Sequence, residues 1–456
     1  MKYLQQPIHL YTSNEANILN VSRQREVVID IHNRLVFTSS IPNWLKWNWY
    51  ITSDMSTNKP RQQYFDLPNS TKITLFLGND SFDWKSNCNS STTYWLNIEA
   101  SLNRDMSWGK KDHVLIQQQF RLQFPVIENE KEEIATKLSK EREITNNKTF
   151  LVQDLPLTVD LWIVNQELSD ENSKIKTVVI DKTTGKLCSY WTPQGHPLII
   201  VDNGGLGSNY TRASTDNDLG GGKISYDSNW NQVGLQPLNP PQSICKSTEI
   251  HYKDNSNTKI QVEVNCDIIA NTATNKTSLL FQQRIVYHCD AITGSVEVEV
   301  KIIPNHQKLH HLSSLPRIGM NMTIDESLYH VQYLGRGPFE NYPDRKTATK
   351  FGIFKGTVAD LNDCNTYIFP SEYGNRCDCS WISFRTTANQ QEGEGMCIVA
   401  ANSDQLLNFS ALFQSQKELH GAKHTTDLSF HRRQNGTSPI YVNLDYKLMG
   451  LGGDLS

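Results

Sequence analysis

No stretch of the sequence approaches the ~18 consecutive apolar residues of a membrane helix, which excludes an integral helical membrane protein. Charge of one sign is also missing. Lys and Arg number 44 against 48 Asp and Glu, for a formal net charge of −4, and the basic residues are spread along the chain. The electrostatic footprint of a nucleic-acid binder is therefore absent. Cysteine is scarce: nine in 456 residues are too few for a disulfide scaffold and odd in number. Only Cys377 and Cys379 lie close together, at a spacing unlike a zinc C-x-x-C knuckle, so reduced thiols are expected. The opening string Met1-Lys2-Tyr3-Leu4-Gln5-Gln6-Pro7 lacks the apolar h-region of a signal peptide, and a cytoplasmic, reducing location is expected. Ten Asn-x-Ser/Thr sequons, among them Asn69, Asn147 and Asn435, are mostly what the abundance of Asn, Ser and Thr supplies by chance.

What is present is β patterning. Apolar residues recur with period two over 27–31, 260–264 and 295–302, and further strand-like runs occupy 72–77, 113–124 and 441–446. The chain reads as an all-β, antiparallel protein. Strands do not alternate with amphipathic helices, so doubly wound and α/β-barrel folds find no support. A length of 456 residues, about three times the ~150 of a typical domain, calls for two or three units. Residues 128–148 break the pattern with a dense mix of Glu and Lys, including the i,i+4 pair Glu133/Lys137, and read as a solvated helix or linker. This divides the chain into a sandwich-sized unit over 1–125, a charged linker or insertion over 126–150, and a large β unit over 151–456, sized for a two-sheet supersandwich. Gly and Asn clusters at 202–207, 220–222 and 450–453 mark long loops.

Several chemistries lack their motif. Gly220-Gly221-Gly222-Lys223 does not have Walker spacing, Gly335-Arg336-Gly337-Pro338 lacks the third glycine of a dinucleotide fingerprint, and no G-x-S-x-G elbow occurs. His310-His311 and His420/His424 have no accompanying ligand set and read as structural or surface histidines. Carboxylates remain: Asp216 and Asp218 around Asn217, Glu340 and Asp344, and Glu372. A glycosidase needs two carboxyls about 5 to 9 Å apart. The plainer alternative has these acids pair with Arg212, Arg345 and Arg376 or cap turns that lock long loops. Trp44, Trp47 and Trp49 are open to two readings, a sugar-stacking platform or core packing, and Trp47 and Trp49 fall on one strand face.

Four strings, in order over about 250 residues, resemble the C-terminal domain of glycoside hydrolase family two β-galactosidases. Tyr333-Leu334-Gly335-Arg336-Gly337-Pro338-Phe339-Glu340-Asn341-Tyr342-Pro343-Asp344-Arg345 is similar to that domain's G-x-G-P-x-E-N-Y-x-D-R signature. Tyr210-Thr211-Arg212-Ala213-Ser214-Thr215-Asp216-Asn217-Asp218 resembles its F-x-R-A-P-x-D-N-D, with Ser214 in place of the usual proline. Phe369-Pro370-Ser371-Glu372-Tyr373-Gly374-Asn375-Arg376 and Met449-Gly450-Leu451-Gly452-Gly453-Asp454-Leu455-Ser456 complete the set. Upstream, Trp108-Gly109-Lys110-Lys111-Asp112-His113 with Gln117, Gln118 and Gln119 resembles the last strands of the preceding immunoglobulin-like domain.

The resemblance implies an immunoglobulin-like β-sandwich followed by a galactose-mutarotase-like supersandwich. In that family the catalytic glutamates and magnesium ligands lie in a barrel of roughly 250 residues upstream of these two domains, which finds no room here. Glu372-Tyr373 is superficially like the family's nucleophile string, but its neighbours place it in the small-domain motif. The implied role is a non-catalytic C-terminal part or small subunit acting on galactosides through a barrel-bearing large subunit or an oligomer, with no cofactor of its own and magnesium only in that partner. Arg212, Asp216, Asn217, Asp218 and Asp454 are the implied rim of the sugar site. The string ends at Ser456, one residue before a tryptophan that family members place at that site. A stand-alone carbohydrate-binding module or vestigial copy is the alternative. A mutarotase-like epimerase would need a His/Glu pair that the sequence does not mark.

Overall fold

A computed structural model describes residues 8–12, 17–22, 24–34, 43–53, 63–65, 72–77, 93–124, 148–165, 174–192, 195–199, 205–271, 276–362, 369–388, 391–401, 405–428 and 439–452. The charged segment is outside the described residues up to Lys148, which opens the strand Lys148–Asp154. The chain forms two compact units, one of residues 1–144 with 347–353 and one of 145–346 with 354–456. Both are all-β.

The first unit has a three-stranded sheet of Ile8–Tyr11, Glu26–Asn33 and Lys72–Phe76. Its second sheet runs in the order Ile18–Asn20, Val114–Gln123, Tyr94–Leu102, Leu45–Ser53, Gln63–Phe65. Alternation sends one side of each strand inward, so Val27, Ile29 and Ile31 from one sheet and Trp47, Trp49, Leu96, Ile98 and Phe120 from the other share a single core. Trp47 and Trp49 are each 3% exposed, so they pack inside rather than facing a ligand. On the opposite side of the second sheet, the Gln119 amide donates to the Phe351 carbonyl at 2.7 Å and accepts from the Phe351 amide at 2.6 Å. A side chain there mimics a strand ladder for the segment 347–353.

The second unit has a ten-stranded sheet and two four-stranded sheets. The central part of the large sheet places Ile440–Leu448 between Arg317–Ile324 and Leu407–Leu412. One small sheet is the meander Gln242–Tyr252, Lys259–Asn271, Thr277–Asp290, Val296–Pro304. The other takes His330–Gly337, Trp381–Ala388 and Gln391–Val399, with Lys350–Thr357 on its edge. All three feed one core: Val159, Leu161 and Ile440 from the large sheet, Val262, Val264 and Tyr287 from the meander, and Val331, Ile382 and Phe384 from the third. This is a sandwich of layered sheets.

Residues 220–222 do not form a long loop. They link two short helices, Asp216–Leu219 and Tyr226–Val233, through the 3-10 turn Gly222–Ile224. Ser225 caps the second helix by accepting from the Ser228 amide, and Gly234, at φ 87°, ends it in the left-handed region. Trp230 and Val233 bury that helix in a satellite core with Tyr210, Phe281 and Met449.

Glycine inside the central strand Arg317–Ile324 has a steric reason. A Cβ at Gly319 would collide with Asp445 Oδ1 and lie 2.5 Å from the Leu444 carbonyl oxygen, its neighbours in the antiparallel register. Gly319→Ala is predicted to lower stability by about 1–3 kcal/mol. Urea unfolding checks this, and an unchanged midpoint would refute it.

Candidate functional site

The best-defined polar arrangement lies at one corner of the second unit, where residues 210–220, 338–345, 369–376 and 449–452 meet. It begins with a helix cap. Thr215 Oγ1 accepts from the Asp218 amide at 3.3 Å, and Asp218 Oδ2 accepts in return from the Thr215 amide at 2.9 Å, a capping box that starts Asp216–Leu219. The same carboxylate faces Arg212, whose Nε donates to Oδ2 at 3.0 Å and whose Nη2 donates to Oδ1 at 2.6 Å. Neither side chain has any exposure to solvent. A two-pronged pair of this kind matches the planar guanidinium to the carboxylate and is stronger than a single contact.

Arg212 has donors to spare, and they reach the tail of the described chain. Nη1 donates to the Met449 carbonyl at 2.6 Å and Nη2 to the Gly450 carbonyl at 3.0 Å. The Asn217 amide then donates to the Leu451 carbonyl at 2.7 Å, and Asp344 Oδ2 accepts from the Gly452 amide at 2.7 Å. Four consecutive residues without regular structure are thus held by three side chains from two loops. The loop carrying Asp344 is itself fixed from below. Buried Asn341 donates to the Arg336 and Phe339 carbonyls at 3.0 and 2.9 Å and accepts from the Cys377 amide at 2.9 Å. Glu340 pairs with Arg345 and accepts from the Gly374 amide at 2.6 Å.

A second buried ion group adjoins the first, because the Glu372 amide donates to the Ala213 carbonyl at 3.0 Å. Glu372 lies 2.8 Å from Arg317 Nη2, and Asp445 lies 3.6 Å from Arg317 Nε, all three closed to solvent. Glu372 is therefore sealed from solvent beside an arginine rather than open to a substrate. Burial pushes the Asp445 carboxyl up to about 7, a rise to which Glu372 adds and which Arg317 and Arg212 only partly offset.

Of the residues singled out in the sequence, Asp216 and Asn217 are exposed beside the tail, and Arg212 and Asp218 are buried beneath it. Asp454 is outside the described residues. Glu340, Asp344 and Arg345 join the corner, and Arg376 donates to the Gly374 and Leu361 carbonyls at 2.8 Å each. Sequence reasoning missed Arg317, Asp445 and Trp230. The guanidinium of Arg212 lies 5.5 Å from the Trp230 ring centroid, and no local spacing links these positions. His310 bonds within its own helix end to the His306 carbonyl, and His420 Nδ1 is 3.4 Å from the Ser214 amide. Among the described residues no group of three or more His, Cys, Asp or Glu is placed to hold a metal ion. No helix among them is long and apolar enough to cross a membrane.

The chain is all-β, and the best-defined polar arrangement among its described residues is a buried arginine clamp around residues 449–452. The comparisons give the family. The chain belongs to the β-galactosidase small-chain family, whose model matches residues 172–456, and the model for β-galactosidase domain 4 matches residues 29–123. It is 27% identical to a β-galactosidase of Pseudoalteromonas haloplanktis over 437 residues, 93% of this chain and 35% of the relative. A β-galactosidase of Vibrio cholerae is 29% identical over 280 residues, 60% of this chain and 23% of the relative. One of Vibrio vulnificus is 35% identical over 147 residues, 31% of this chain and 12% of the relative. The chain spans about a third, or less, of the length of the curated relatives it matches.

Two outcomes follow from the buried ions. Arg212→Met leaves Asp218 buried and uncompensated and is predicted to cost about 3–5 kcal/mol, with Arg212→Lys recovering only part because the two-pronged geometry is lost. Urea midpoints of the two variants check this, and full recovery by lysine would contradict it. Asp445 is raised above its unfolded value near 3.8, so its contribution is fully present below that pH and is lost as pH rises through about 7. Relative to wild type, Asp445→Asn should gain about 2 kcal/mol between pH 5 and pH 8. An offset independent of pH would rule this out.

Proposed function

We propose that this chain forms the non-catalytic part, or small subunit, of a β-galactosidase of glycoside hydrolase family two that hydrolyses terminal β-D-galactosides in the cytoplasm. A barrel-bearing chain supplies the catalytic carboxylates and the magnesium site. The observation that carries this reading is that both units match accessory β-galactosidase domains while about two thirds of the relatives' length lies outside the match. The corner supports it. Exposed Asp216 and Asn217 form the rim offered to the sugar, Arg212, Asp218 and Asp344 hold that rim in place, and Asp454 joins it on the family resemblance alone. A rim of this kind lowers the cost of ordering a substrate because its backbone is already fixed. The seven described cysteines are free thiols, in keeping with a reducing location.

The chain alone is expected to give no turnover of a chromogenic β-galactoside, and turnover is expected on mixing with a barrel-bearing β-galactosidase chain. Turnover by the chain alone would overturn the assignment. Calorimetric titration with galactose should give negligible heat in the absence of the barrel, and measurable heat would favour a carbohydrate-binding module instead.

A further inference from the structure

Two of the free cysteines face each other across the meander. In the register of Gln242–Tyr252 against Lys259–Asn271, Cys245 is directly opposite Cys266, and the ladder shifts immediately afterwards between Cys245 and Ser247. Both side chains point to the inner face. Cys266 is 3% exposed within the main core, and Cys245 is partly buried against it. The hydrogen bonds tell which kind of pair this is. The Cys245 amide donates to the Thr183 carbonyl at 2.8 Å, away from the neighbouring strand, so the two cysteines occupy a non-hydrogen-bonded site of the ladder. At such sites opposite Cα atoms are about 4.5 Å apart and the side chains approach closest. That spacing falls inside the 4.4–6.8 Å range of disulfide-bonded cysteines. No other cysteine pair among the described residues stands opposite in a strand register. Cys377 and Cys379 are two apart on one strand, whereas Cys245 and Cys266 sit on neighbouring strands. There Cys245 Sγ also donates to the Ser247 carbonyl at 3.3 Å and Cys266 Sγ to the Thr184 carbonyl at 3.7 Å.

We propose that Cys245 and Cys266 are a dithiol modification site, converted by low-molecular-weight disulfides such as glutathione disulfide into a cross-strand disulfide. Cys245, the partly accessible member, attacks one sulfur of the small disulfide, forming a mixed disulfide and expelling one equivalent of thiol. Cys266 then attacks Cys245 Sγ, forming the Cys245–Cys266 bond and expelling the second equivalent. The two protein thiols lose two electrons, the oxidant is reduced to two thiols, and those thiols carry off both protons. Burial pushes the Cys266 thiol up to about 12, and Cys245 beside it adds to the rise. Cys266 is thus inert toward reagents in solution and reacts only with the neighbour held against it.

The test uses the full chain, folded, incubated with glutathione disulfide, blocked with an alkylating agent, digested without reduction and read by mass spectrometry. A peptide pair joined through Cys245 and Cys266, with loss of two alkylatable thiols and its reversal by dithiothreitol, is the expected result. In Cys245→Ser, Cys266 should remain fully alkylatable after denaturation and the linked pair should vanish. Stable glutathione on Cys245 with Cys266 still alkylatable would overturn the proposal, as would either cysteine joined to a different one. Neither result depends on galactosidase activity, so the redox assignment and the subunit assignment fail independently.

Discussion

The corner of the second unit depends on one guanidinium. Arg212 is closed to solvent, and a buried cation must find acceptors for all its donors or it destabilises the fold. It finds them in three places along the chain: the Asp218 carboxylate six residues on, and the Met449 and Gly450 carbonyls more than two hundred residues away. Because Asp218 also caps its own helix, the ion pair ties the start of Asp216–Leu219 to the tail in a single step. Glycine-rich backbone pays a high entropy to be ordered, and here the arginine adds its restraint to the packing of Met449 in the satellite core.

Around Arg212, Arg317 faces Glu372 and Asp445, and Arg376 donates to the Gly374 and Leu361 carbonyls. The loops 210–220 and 369–376 are joined both by the Glu372 amide on the Ala213 carbonyl and by apolar contact of Ala213 and Tyr373 in a small buried cluster. Such ion groups are a weak source of net stability, but removing one partner leaves the other charge buried and uncompensated. Gly319 shows a steric constraint at the same group, since the carboxylate of Asp445 occupies the space a side chain would take.

Much of this was legible in the sequence. The alternation over 27–31, 260–264 and 441–446 marks strands because only a period of two puts one face in a core, and those segments form Glu26–Asn33, Lys259–Asn271 and Ile440–Leu448. The plain reading of acids beside arginines as loop-locking pairs describes Arg212 with Asp218 and Glu340 with Arg345. The helix Tyr226–Val233 was not legible, since its polar sequence buries only Trp230 and Val233 and its signals are a serine cap and a terminal glycine. Arg317, Asp445 and the facing cysteines at 245 and 266 left no trace either, because nothing in local spacing says which strands pair or in what register.

The sequence by itself determined the all-β class, the lack of nucleic-acid and membrane signatures, and the strings that carry the family likeness, because periodicity, charge and motif are properties of neighbours along the chain. Only the tertiary structure decided which of the candidate residues face water and which are sealed beneath them. Asp216 and Asn217 are open while Arg212 and Asp218 are closed, although all four lie within seven positions. Arg212 is held beneath the carbonyls of Met449 and Gly450 and pairs with Asp218, while Asn217 meets the Leu451 carbonyl from the surface, and a contact across more than two hundred residues is written in no local pattern.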